Sequence, residues 1–106
     1  MTTFTREDFE HAARAAGLRV RTWDGHTGTM CAIDDDCHGR MWMPHHDDGD
    51  ALRLAHDLRM TIADDPMKTC WSVGAVVNGQ FTWLASSEDQ RHAIFCAAIA
   101  IGKATP

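Results

Sequence analysis

An α+β sandwich, antiparallel sheet packed with helices in the order α-β-β-β-α-β-β-α, is predicted for this chain by three observations. Apolar residues recur at helical spacing near its start, its middle and its end. The segments between them alternate as strands, and an Asn78-Gly79 pair separates two apolar runs, the strongest short-range hairpin signal a sequence offers. No parallel crossover pattern links the strands, which favours hairpins and a single α+β unit over residues 1–106.

The first helix is expected over residues 5–16. Thr5 is placed as its N-cap, with Asp8 three residues on completing a capping box and Phe4 stapling against Phe9. Phe9, Ala12, Ala13 and Ala16 share one face, and Gly17 ends the helix with Leu18 folding back on Ala13. Residues 18–23 and 29–33 then alternate as strands around a turn. Residues 37–43 read as a third strand with Trp42 on one face and Met41 and Met43 on the other.

Pro44 forbids Met43 a helical backbone, and Asp47 or Asp48 can accept from the free amides of the next helix, expected over residues 48–60. Ala51, Leu54, Ala55 and Leu58 face its core side, and Leu52 is expected to widen that face. Asp64, Asp65 and Pro66 read as a turn before strands at 69–77 and 80–84. Pairing Val77 with Gln80 sets Val76 opposite Phe81 and Gly74 opposite Trp83, with Val73, Ala75, Thr82 and Leu84 on the other face. The last helix, over 87–101, is expected to start at Ser86 or Ser87 and to stop at Gly102.

Two segments, Trp42 and Pro44 with DDGDALRLA from Asp47 to Ala55, and RHAIFCAAIAIGKA from Arg91 to Ala104, resemble the phage ABA sandwich domain family. The position after Trp42 is Met43 where that family carries Asn, and residues 63–85 align with nothing in it. The resemblance implies the same sandwich and a phage or prophage setting, with no established activity attached.

A net charge of −5, from ten basic and fifteen acidic residues, opposes a polyphosphate partner, so direct nucleic-acid binding is disfavoured. No apolar run approaches the ~20 residues of a membrane span, and the first residues show no secretory signal. The expected compartment is therefore the cytoplasm of a bacterial host, where Cys31, Cys37, Cys70 and Cys96 should be thiols.

Cys31, Cys37, His38, His45 and His46 are the best candidates for a metal- or small-ligand-binding module, but they lack the paired spacing of structural zinc sites. Asp34, Asp35 and Asp36 with Asp47, Asp48 and Asp50 do not follow the order of a cation-wrapping loop and read more simply as a polar turn and a helix cap. No nucleophile, phosphate-binding or metalloprotease motif is present, so neither enzyme activity nor a cofactor is expected. What remains is four Trp and six Met with no Tyr, a surplus of residue types enriched at protein interfaces. Trp23, sharing a strand face with Arg19 and Arg21, is the candidate for an exposed indole, although a packed indole under snorkelling arginines fits the same pattern better. With an acidic edge drawn from Asp34, Asp35, Asp36, Asp47, Asp48 and Asp50, it suits a non-enzymatic phage or prophage accessory protein that binds a host protein or complex. Inhibition of a bacterial defence system such as CRISPR is the most concrete form of that reading.

Overall fold

The structure is a computed structural model describing residues 4–25, 28–33 and 40–105. Helix α1 (Arg6–Ala16) opens with its capping box complete: Asp8 N–H donates to Thr5 Oγ1 at 3.3 Å and Thr5 N–H donates to Asp8 Oδ2 at 2.9 Å. Phe4 and Phe9 both pack on the rings of Phe95 and His45, so the staple runs through those two residues. Gly17 takes a left-handed backbone (φ 72°), and Leu18 N–H returns to Ala13 O at 2.9 Å.

Strands β1 (Val20–Gly25), β2 (Gly28–Ile33) and β3 (Arg40–Met41) form the first antiparallel sheet in that spatial order. Trp23 pairs with Met30 and Ala32 with Met41, while Trp42 N–H donates to Cys31 O at 2.9 Å just past the strand. Alternation then divides the residues as their chemistry demands. Cys31 and Trp42 turn inward and are buried, whereas Trp23 and Met41 are exposed. Of the third strand expected over 37–43, residues 37–39 lie outside the described residues.

Helix α2 (Asp48–Asp57) is shorter than expected because Arg59 adopts a left-handed backbone (φ 51°) and Met60 N–H closes back to Ala55 O at 2.9 Å. Ala51, Leu54 and Ala55 are buried, but Leu52, expected to widen that face, is exposed. The element order contains one strand more than the sequence announces. Thr61–Asp65 is β4, pairing antiparallel with β5 (Cys70–Val77), which in turn pairs with β6 (Gln80–Ser87). Asp65 is both the last residue of β4 and the acceptor for Met67 N–H at 3.1 Å, so its turn chemistry conceals a strand end.

The β5–β6 hairpin has the expected register from Val77–Gln80 to Gly74–Trp83, followed by a bulge between Val73 and Gly74. Because β6 runs on to Ser87, with Ser72 and Ser86 hydroxyls 3.2 Å apart, neither serine caps the next helix. Asp89 does, accepting from Arg91 N–H at 2.9 Å, and α3 spans Gln90–Ala104.

Helix α3 carries no polar stripe wide enough for a surface helix. Ala93, Ile94, Phe95, Ala97, Ala98, Ile99 and Gly102 are buried, and the helix packs against α1, α2, β5 and β6. Gly102 does not stop it; a Cβ there would fall on the His11 carbonyl of α1. An alanine in a helix is ordinarily worth about 1 kcal/mol over glycine. At this contact the sign should invert: Gly102→Ala is expected to cost about 2 kcal/mol through forced separation of α1 and α3. Urea unfolding that found the variant more stable than the parent would show the helices to be less closely seated.

Candidate functional site

The segment from Trp42 to Asp50 is held by side-chain to backbone bonds rather than arranged for chemistry. Asp47 caps α2, accepting from Asp50 N–H at 2.8 Å. Asp50, only 5% exposed, accepts from Met43 N–H at 2.9 Å and from Arg53 Nη2 at 2.7 Å. It ties the strand exit to the helix, and its carboxylate is engaged there rather than standing out on the acidic edge expected from the sequence. Asp48 is exposed, its carboxylate 3.6 Å from Arg91 Nε. Arg91 Nη1 also donates to His46 O at 2.9 Å, joining the start of α3 to the loop before α2. The hydrogen bonds of the Arg91 side chain hold the Asp89 carboxyl below the usual carboxylate range. Asp34, Asp35 and Asp36 lie outside the described residues, as do Cys37 and His38.

Cys31 is fully buried, and burial, with the negative charge of Glu10 behind it, pushes its thiol up to about 12. Burial that keeps a thiol protonated also screens it from solvent. Cys96 is displaced in the same direction, again chiefly by burial. Cys31, Cys70 and Cys96 are unbridged. Among the described residues, no three His, Cys, Asp or Glu side chains gather as a metal-binding group.

His45 packs against the aromatic core, half-buried. Its ring meets Phe9 edge-on at 5.3 Å, Phe4 at 5.5 Å and Phe95 at 5.7 Å, and its Nδ1 is buried with no hydrogen-bond partner. Burial, reinforced by His46, His92 and Arg91, lowers its pKa to about 4.

The solvent faces of the two sheets carry the remaining candidates. On the first, Trp23 is 41% exposed rather than packed beneath its arginines, and Met41 is 41% exposed two strands away, with Met30 opposite Trp23 and Ala32 opposite Met41 on the strand between. Met41 also borders a concavity at the N-terminus of α2, lined by Met43, His46, Asp47, Asp50 and Arg53. On the second, Val76 (66% exposed), Phe81 (45%) and Trp83 (55%) form an apolar group that sequence reasoning did not single out. Phe81 and Trp83 meet edge-to-face at 5.0 Å. They close over Gly74, where a Cβ would come within 2.7 Å of Phe81 Cζ and 2.9 Å of Trp83 Cε3. The signal was present in the predicted register, which already set these residues on one face; it lacked only the side on which the helices lie.

The histidine supplies a signed test. Its folded pKa lies below the ordinary 6.5, so the unfolded chain binds the proton first. Stability from this group is full above about pH 6.5 and is lost as pH falls toward about 4. Between about pH 7.5 and about pH 4.5 it should account for about 1–2 kcal/mol, after discounting for a part-exposed ring. His45→Phe should flatten that part of the denaturation-midpoint profile; an unchanged acid slope would place the titration elsewhere.

No family model matches the chain, and comparison with curated proteins and with solved structures finds no similar protein.

Proposed function

We propose that the protein acts by stoichiometric binding of another protein, without chemistry of its own, through the outer face of the first sheet. The observation that carries this reading is the exposure of Trp23 in the same sheet face as exposed Met41, beside the concavity bordered by Asp47 and Arg53. An indole and flexible methionines provide apolar contact area, the residue types in which interface cores are rich. Asp47 and Asp48, both exposed, would steer the approach of a basic partner surface.

The finer version rests on the resemblance of Trp42, Pro44, Asp47–Ala55 and Arg91–Ala104 to a phage family. In it the protein is a phage or prophage accessory factor in the cytoplasm of a bacterial host, its target is a host protein or complex, and inhibition of a defence system such as CRISPR is the outcome. No helix among the described residues is long and apolar enough to cross a membrane.

Affinity capture from host lysate, followed by binding kinetics on the captured protein, tests the reading. Trp23→Ala should weaken association by roughly tenfold or more, chiefly through faster dissociation. It should change unfolding free energy by no more than about 1 kcal/mol, because the indole is already part exposed. Asp48→Lys should slow association and flatten its salt dependence. Undiminished binding by both variants, or turnover of many substrate equivalents by the purified protein, would end the proposal.

A further inference from the structure

Each sheet has two edges, formed by β1 and β3 in the first and by β4 and β6 in the second. Exposed edges invite pairing with other chains, and proteins ordinarily blunt them with charge, proline or brevity. β1 contains Arg21 and Asp24, β3 is two residues long and contains Arg40, and β4 ends in Asp64 and Asp65. β6, Gln80–Ser87, is eight residues long and holds no charged residue and no proline.

The hairpin fixes which backbone groups that edge offers. Asn78 (φ 54°) and Gly79 (φ 81°) form the left-handed two-residue loop that makes Val77 and Gln80 a hydrogen-bonded pair. Antiparallel ladders alternate, so Ala75–Thr82 is bonded inward while Val76–Phe81 and Gly74–Trp83 are not. The N–H and C=O groups of Phe81 and Trp83 therefore point out from the sheet edge. They belong to the two residues whose rings form the exposed apolar group on the sheet face. Residues 80–83 are exposed on both faces of the strand, so no helix obstructs an incoming chain there.

We infer that β6 pairs antiparallel with β6 of a second copy of this chain, about a two-fold axis at Thr82, making one continuous sheet across the dimer. That register is the one in which the outward groups of Phe81 meet those of the second copy's Trp83, and the reverse. It also lays each phenyl ring across from an indole, an aromatic cross-strand pair on the same sheet face on both sides of the axis. Thr82 then faces its own copy at a non-hydrogen-bonded position, where opposed side chains lie closest. The charge pattern selects a second copy as occupant: a strand without charge meets its own image with no like charges opposed, although the chain as a whole carries −5. The axis at Thr82 also uses the regular stretch from the turn to the bulge, beyond which the edge loses its phase. This surface is distinct from the Trp23 face, so the dimer would present two copies of that face.

Sedimentation velocity over a concentration series on the full chain tests the inference, alongside oxidative cross-linking of Thr82→Cys. A reversible monomer–dimer equilibrium is expected. Trp83→Glu and Thr82→Lys should each raise the dissociation constant roughly tenfold or more, with circular dichroism unchanged because both positions are exposed. Thr82→Cys should form a reducible dimer that neither the parent nor Ser86→Cys forms, since opposed positions at the axis approach disulfide range. Trp23→Ala should leave the equilibrium unmoved. A monomer at every concentration, a dimer that survives both charge substitutions, or cross-linking at residue 86 in preference to 82 would overturn the assignment. Capture of an extended foreign peptide at this edge by a strictly monomeric protein would do so as well.

Discussion

The close seating of α1 against α3 governs how the remaining parts can be arranged. Gly102 admits the His11 carbonyl, and the alanines at positions 12, 13, 97 and 98, all buried, bring the two backbones together without large side chains between them. A helix enclosed on several sides must be apolar on several sides, and α3 is; its charged residues are confined to its ends at Arg91 and Lys103. With the helices so close, the volume of the core has to come from aromatic rings at one end, where Phe4, Phe9, Phe95, Trp42 and His45 collect. The unpartnered Nδ1 of His45 is a cost of filling that corner with an imidazole.

The segments Trp42–Ala55 and Arg91–Ala104 are brought into contact by this arrangement. Trp42 packs on Phe95 with ring centroids 6.2 Å apart, and Arg91 reaches both the His46 carbonyl and the Asp48 carboxylate. Asp47 and Asp50 hold the strand exit and the helix start as a unit. These residues have structural work to do, and their side chains are spent on holding the architecture. The parts free to differ in use are the outer sheet faces, and those lie mostly beyond the two segments.

Local rules served well where a single residue type decides the backbone. The Thr5–Asp8 box, the Gly17 terminator, the Asn78-Gly79 turn and the register of its hairpin were all legible, whereas at Trp23 the sequence pattern leaned toward a packed indole and the structure exposes it. They failed where two roles share one residue or where a distant element intervenes. Asp65 ends a strand and makes a turn; Ser86 is spent in a sheet; Arg59 takes a conformation usually left to glycine; Gly102 is small for the sake of α1. Asp50 illustrates the same limit at the candidate site, since a helix-start carboxylate can face solvent or turn back to a buried amide, and only the position of Met43 decides. The aromatic group on the second sheet was one step away, because alternation gives two faces but not which of them meets the helices.

The distribution of indoles has a practical consequence. With four tryptophans and no tyrosine, the chain's ultraviolet emission comes from the indoles, and these occupy different layers. Trp42 is sealed in the core, Trp71 is half-buried against it, Trp23 stands on the first sheet and Trp83 on the second. A polar quencher added to the folded protein will reach the last two and spare the first. Occupancy of either face can therefore be followed optically, without an added label, by restoring the parent protein one tryptophan at a time.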